Sequence, residues 1–488
     1  MLRLPTILIL LSAARALPAA DDLDKQIKNI VEAFALVEEN AADPITSEQA
    51  FYQGAIPGLL RKLDPHSVFF DPGQFDQLKK MESSTQKGFG SVVTMVPGRV
   101  VVLQTIPGTP SAKAGLAPGD AILAINGYVI GQLDIDQLTE LLSESRQHPA
   151  QLDVMRAGSS SIVRMVLTPE EMQSSSVDRA FFAGPGIGYI RVASFDEHTA
   201  LDLRTAIEKL GGRNLAGLVL DLRNNPGGVV TAALETASLF LEPGQTIFTI
   251  RGRNVPEKPK VVPEAASPYE CKLVVLVNEK TASAAEIVSG ALQDHDRATI
   301  VGDATYGKGL VQSVIPLSGD AGLALTTALY YTPSGRSIQK PLDARQFELG
   351  ATTAHPNKQS DFRTDKGRAV TGGGGIRPDV AAGPAPMSRL QMALVASGSF
   401  TTFATDYLVR HKVDGDFEVT PAVLDEFQAY VGARGIQPSA AEWSSQGDFL
   451  RVRIKSEIFS QALGVERGDE VELLRDPPVL KALEILGS

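Results

Sequence analysis

Apolar residues recur at helical spacing over residues 23 to 40, where Ile27, Ile30, Val31, Phe34 and Val37 share one face. A second helix is expected to open at Thr46, because Thr46-x-x-Gln49 has the form of a capping box. It runs towards Leu60 and stops before the Asp64-Pro65 turn. Between residue 88 and about residue 171 the period changes. Ser91-Val92-Val93 and residues 99–104, 121–125, 151–156 and 161–167 read as strands, with Gly115, Pro118-Gly119-Asp120 and Asn126-Gly127 as turn signals. One short amphipathic helix interrupts them, carrying Ile135, Leu138, Leu141 and Leu142. From Ile187 strands and helices alternate. Strands are expected at 186–195, 217–222 and 273–277, and helices at 200–210, 230–241 and across Ile287, Val288, Ala291 and Leu292. Three more strands follow, at 298–301, 313–315 and 323–331. Such alternation predicts an α/β layer with partly parallel strands. Residues 340 to 375 are polar and glycine-rich and read as a long loop. From Met387 the pattern is mostly helical, and Asp476-Pro477-Pro478 opens a last short helix.

A chain of 488 residues is expected to hold more than one domain. The shifts in period divide it into residues 1–20, 21–85, 86–172, 173–384 and 385–488. A net charge of −11 leaves no basic excess to neutralise phosphates, so nucleic acid is not expected as the main partner. The single cysteine, Cys271, excludes an intramolecular disulfide. There is no CxxC or HExxH, and the six histidines are scattered, so neither a metal nor a cofactor is expected. The amino end, MLRLPTILILLSAARALPAADD, places Arg3 before a short apolar run and then small residues. This has the form of a secretory signal peptide cleaved near residues 16 to 20, and the run is too short for a full membrane span. A soluble protein of a bacterial periplasm or cell envelope is expected, with no transmembrane anchor once the signal is removed.

The turn NEKTASAAEIVSGALQD, residues 278–294, crowds Thr281, Ala282, Ser283, Ala284 and Ala285 between a strand and a helix. A hydroxyl there lies beside free N–H groups and the positive end of the helix dipole, where an oxyanion is stabilised. The plainer use of such a residue is as an N-cap, which is far commoner than a nucleophile. A His-based triad has no support, because His295 falls at the far end of the same helix. A lysine made neutral by burial can replace the histidine. Lys308, between Gly307 and Gly309 in a connection between strands, is the candidate, although most lysines are simply solvated. The loop Asn224-Asn225-Pro226-Gly227-Gly228 ends a core strand, where α/β proteins build their sites.

Taken together, these segments resemble the C-terminal processing peptidases, or tail-specific proteases. The resemblance rests on Asp221 to Gly228 (DLRNNPGG), Val277 to Ile287 (VNEKTASAAEI) and Gly302 to Gln312 (GDATYGKGLVQ). It extends to Leu63-Asp64-Pro65-His66-Ser67, to Tyr331-Thr332-Pro333-Ser334-Gly335 and to Gly374 through Val380. It implies a multidomain α/β protein with a mixed-sheet, ClpP/crotonase-like protease core, an inserted β-rich PDZ domain at 86–172, and helical segments at both ends. It also implies Ser283 as nucleophile, Lys308 as general base and Gln312 as its orienting partner. The oxyanion hole would combine Ala284 with Gly227 or Gly228, the choice between the glycines staying open. Thr281 and Ala285 stand where the family pattern carries serines. Lys280, beside the turn, reads as a surface residue.

Within the PDZ-like segment the resemblance makes Gly88-Phe89-Gly90-Ser91 the carboxylate-binding loop, with Phe89 bordering an apolar pocket. A free C-terminus would then add as a strand. A core position for Phe89 is the plainer reading, and Arg156 is a candidate link between this segment and the protease. The expected partners are proteins with free apolar C-termini, with a homodimer or an adaptor protein as further possibilities. Two rival readings remain. One is a non-enzymatic carrier, since the same fold in a vertebrate retinoid carrier binds without proteolysis. The other is a catalytically silent PDZ scaffold. The apolar stripe of the carboxyl-terminal segment, Phe403, Tyr407 and Leu408, reads as plain packing as readily as an interface.

Overall fold

The computed structural model describes residues 20–82, 85–173, 175–341, 362–384 and 386–487. The expected signal peptide, but for residue 20, and the middle of the polar loop read over 340–375 lie outside the described residues. The chain divides into two compact units.

The first unit holds residues 20–72 together with 314–325. The helix Ala20–Asn40 forms as its period predicts. The capping box also forms: Thr46 N–H donates to Gln49 Oε1 (3.1 Å) and Gln49 N–H to Thr46 Oγ1 (3.2 Å). The helix it opens is π-wound over Gln49–Ala55 and becomes α over Ile56–Arg61. Pro57 has no N–H for the carbonyl one turn earlier, so a regular α ladder cannot run through it. Leu60, Phe69 and Ala321 form a small core here, and Val68–Phe70 pairs antiparallel with residues 322–324.

The second unit is built on a six-stranded sheet. Its order is Val177–Gly184, Ile187–Val192, Gly217–Asp221, Lys272–Val277, Thr299–Gly302, Val380–Ala381. The first pair is antiparallel and the rest are parallel. Lys272–Val277 is apolar at every position after Lys272 because both faces of the sheet are covered. Leu273, Val275 and Val277 pack with the helices Thr199–Lys209, Val230–Ser238 and Ala284–Asp294. Val274 and Leu276 point the other way, into a cluster with Val479, Ala482 and Leu486 of the helix Pro477–Gly487.

Residues 91–167 form a separate antiparallel sheet, ordered Ser91–Val96, Arg99–Thr105, Ala121–Ile125, Ala150–Met155, Ile162–Leu167. The helix Ile135–Ser145 closes its core with Leu138 and Leu141 and starts in a capping box between Asp134 and Gln137. Two strands absent from the sequence reading, Thr85–Gly88 and Glu170–Gln173, pair antiparallel and bring the entry and exit of this segment together. Arg156 does not leave the segment as expected. It donates to Gly115 O (2.7 Å) and to Asp120 Oδ2 (2.5 Å), because the buried Asp120 is the counter-charge at hand. Beyond residue 388 the chain is helical, with Phe400, Phe403, Phe427, Ile454 and Phe459 in one core. Phe403, Tyr407 and Leu408 are part of it, so that stripe is packing. No helix among the described residues is long and apolar enough to cross a membrane.

Candidate active site

The parallel strand Lys272–Val277 and the helix Ala284–Asp294 meet at a turn whose first hydroxyl is structural. Thr281 is fully buried, donates to Leu222 O (2.8 Å) and accepts the Asn278 N–H (2.9 Å). Ser283, half-buried, is the N-cap residue, with φ +54° and ψ −115°. An L-residue held there stores on the order of 1–3 kcal/mol of backbone strain. What holds it is Glu286, one turn into the helix. Ser283 N–H donates to Glu286 Oε2 (2.9 Å). The same oxygen accepts the Lys308 N–H (2.9 Å), and Oε1 accepts the Gly307 N–H (2.8 Å) and the Thr305 hydroxyl. One carboxylate therefore pins two loops, and the backbone nitrogens of Ser283 and Lys308 lie within about 6 Å of each other. Glu286 is wholly buried, and that burial pushes its carboxyl above the ordinary range against the pull of its four donors.

Lys308 is half-buried, and its Nζ donates to Gln312 Oε1 (2.9 Å), so the expected pair does meet. The Asn224–Gly228 loop closes on the turn from the neighbouring strand. Ala282 N–H donates to Asn225 O (2.9 Å), and Asn224 N–H and Asn278 Nδ2 exchange bonds with the opposite side chains (2.9 and 3.0 Å). Gly227 lies so near that a Cβ would come within 2.8 Å of Ser283 Cβ and 2.9 Å of Ala284 N, at φ +95°. Its own N–H already donates to Asn225 Oδ1 (2.8 Å). Gly228 is bridged to Phe195 through its neighbours, Phe195 N–H to Gly227 O and Val229 N–H to Phe195 O (both 2.9 Å). The N–H groups of Gly228 and Ala284 have no acceptor among the described residues. Ala284 follows Ser283 in the turn, and Gly228 follows Gly227, the residue that lies against the Ser283 side chain.

Other candidates fall elsewhere. Lys280 is exposed, as expected. His295, at the far end of the helix, bonds Asp365 Oδ2 and Thr246 O (2.7 Å each). In the inserted sheet Phe89 is half-buried against the sheet's own core. Gly90 has φ +74°, and a Cβ there would clash with Thr109. Ser91–Val96 is the edge strand, and its outer side pairs with no described strand. Gly88 pairs with Glu170 at the base of the insertion. The sequence reading gave Glu286 no role. Ser283-x-x-Glu286 is itself a capping-box pattern, which was the available signal.

A small hydroxyl at a strained strand-to-helix turn, a lysine tied to the same carboxylate and N–H groups free of acceptors on the adjoining loops are the kinds of group that a serine-type hydrolase uses. Residues 186–345 match the pattern of peptidase family S41, and residues 101–156 match a PDZ domain. A carboxy-terminal-processing protease of Bartonella bacilliformis is 38% identical over 303 residues, covering 60% of this chain and 68% of that one. A carboxyl-terminal-processing protease of Synechocystis is 34% identical over 311 residues, covering 62% and 72%. Among solved structures, the photosystem II D1 C-terminal processing protease matches at 25% identity and a TM-score of 0.41, covering 75% of this chain and 96% of that one. The chain belongs to peptidase family S41, among the carboxy-terminal-processing proteases, and is a serine-type peptidase with a PDZ domain.

Proposed function

We propose that this peptidase is exported, docks the free apolar C-terminus of a protein on its PDZ domain, and cuts the chain near that end with a Ser283/Lys308 dyad. The observation that carries the proposal is the Glu286 carboxylate shared by the backbones of Ser283 and Lys308. Neutral Lys308, oriented by Gln312, takes the Ser283 Oγ proton as that oxygen attacks the scissile carbonyl. The N–H groups of Gly228 and Ala284 hold the tetrahedral oxyanion, and Gly227 serves as the small residue that allows close approach. The proton on Lys308 then passes to the leaving amine. Water, giving its proton to Lys308, attacks the acyl-enzyme ester, and Lys308 returns that proton to Ser283 Oγ as the ester bond breaks and the product acid leaves. Substrate capture falls to Gly88, Phe89, Gly90 and Ser91 for the carboxylate and to the open edge of Ser91–Val96 for the extended tail. The boundaries proposed are 86–172 for the PDZ domain and 173–384 for the peptidase core. The apolar amino end directs the protein to a periplasm or cell envelope.

A loosely folded reporter with a short apolar C-terminal tail tests this. The mature chain is expected to degrade it, Ser283→Ala and Lys308→Ala to lose turnover by at least about a thousandfold, and amidation of the reporter's terminal carboxylate to weaken cleavage. Full activity of Lys308→Ala would sink the dyad. Tail binding without cleavage by the unaltered chain would favour the scaffold reading.

A further inference from the structure

The carboxyl-terminal helices touch the catalytic layer at a point that the mechanism above does not use. The helix Val465–Leu473 begins at the inserted sheet, where Val465 N–H donates to Gln104 Oε1 (2.9 Å). Midway along it, Asp469 pairs with Arg179 of the antiparallel strand Val177–Gly184. Just past its end, Asp476 accepts from Arg223 Nη1 (2.5 Å). Arg223 immediately precedes the Asn224–Gly228 loop. Its other donors grip Asp221: Nε lies 3.0 Å from each carboxylate oxygen, Nη2 2.6 Å from Oδ2, and the backbone N–H 2.9 Å from Oδ1. Tyr189 Oη also donates to Asp221 Oδ2 (2.7 Å), and both Tyr189 and Asp221 are buried. One guanidinium is thus held between the last residue of a core strand and a residue of the helical extension. Its backbone leads straight into the loop that carries Gly228.

We propose that Asp476 is a positioning residue for peptide hydrolysis, acting through Arg223 to fix the Asn224–Gly228 loop and with it the Gly228 N–H that receives the oxyanion. This rests on the reading of Gly228 as an oxyanion donor. An oxyanion donor acts only if it is aimed beforehand, and small displacements of such groups cost rate rather than binding. Without Asp476, Arg223 keeps Asp221 but loses its outer anchor. The loop keeps its bonds to Asn278, Ala282 and Phe195, but the residue that leads into it is held on one side only. The extension therefore belongs to the catalytic apparatus as a support, not only to the packing.

The experiment uses the full mature chain and a short chromogenic peptide, so that docking on the PDZ domain is not what is read. Asp476→Asn is expected to lower kcat by about tenfold, with KM within about twofold of the unaltered enzyme, as for partial loss of one oxyanion donor. Asp476→Glu should restore part of the rate. Asp469→Asn breaks the extension's ion pair with Arg179 without touching the loop, and should leave kcat within about twofold. The proposal fails if Asp476→Asn turns over at the wild-type rate. It also fails if Asp469→Asn loses kcat to the same degree, since general docking of the extension would then explain both. Ser283→Ala is measured alongside. If it is inactive while Asp476→Asn is fully active, only the positioning role is lost; if it turns over, the oxyanion reading beneath goes too.

Discussion

Glu286 accepts three backbone N–H groups and a hydroxyl in a site with no exposure, and no neutral side chain can take its place unchanged. Glutamine would turn an amide donor towards groups that are themselves donors. Glu286→Ala leaves three N–H groups without their acceptor, that of Gly307 buried and those of Ser283 and Lys308 partly so, and a buried one costs on the order of 1–3 kcal/mol. We expect that variant to lose at least about 3 kcal/mol in urea unfolding, with turnover falling because Ser283 and Lys308 are no longer tied to one point. The pH dependence has a definite sign. Burial raises the folded value of this carboxyl, so its contribution is fully present below the unfolded value of about 4.3 and is lost as pH rises through the higher folded value. The unfolding free energy of the native chain, measured relative to Glu286→Gln, should therefore decline across that window. A difference that rises with pH would contradict the assignment. At this scale the sequence was half legible. Ser283, Lys308 and Gln312 could be named from motifs, but Glu286 reads on the page as an ordinary first-turn acid, and only folding shows which loops it collects.

The helix Ala284–Asp294 is buried along its whole length, which a 3.6-residue apolar stripe alone does not require. Its far end is secured by ions. Arg336, with no exposed surface, donates to Asp294 Oδ1 and Gln293 Oε1 (2.7 Å each), and Ser334 N–H donates to Asp294 Oδ2 (3.0 Å). A carboxylate at a helix C-terminus is opposed by the dipole, so Asp294 depends on that guanidinium. Removing one partner of a buried pair strands the other charge. Asp294→Ala should therefore cost about 3–5 kcal/mol, read as a shift in the denaturant midpoint at unchanged slope. A change within experimental error would mean that water reaches Arg336. Helices and central strands were legible because their periods are strong. Of the missed strands, Thr246–Arg251 (TIFTIR) carries β-branched and aromatic residues and was readable, whereas Lys258–Val261 has no such signal. Lys258–Val261 carries lysine, proline and lysine on an edge with every residue exposed, so its pairing is a tertiary outcome.

At the scale of the whole second unit, the central sheet is sealed on one face by helices that follow its strands and on the other by the helix Pro477–Gly487. Leu486 packs against Gly217, where a Cβ would lie 3.1 Å from it. Leu486→Ala is expected to cost about 2–4 kcal/mol, measured by chemical unfolding of the full chain, because it opens a cavity over the sheet. An unchanged midpoint would show that this helix does not seal the sheet in solution. The alternation of strand and helix announced the layer, and the doubled burial of Leu273 to Val277 was written as an unbroken apolar run. The partner of that second face was not legible, because a helix at the carboxyl end bears no mark of the strands it covers. Its late place in the chain has a consequence in time. A ribosome works from the amino end, so the Ser283 turn and Lys308 emerge well before the segment that covers the back of their sheet and anchors Arg223. During that interval the peptidase is assembled in outline but poorly braced. The order of synthesis therefore makes the catalytic turn early and its brace late, so the last helix to be made completes the support of the first loops laid down.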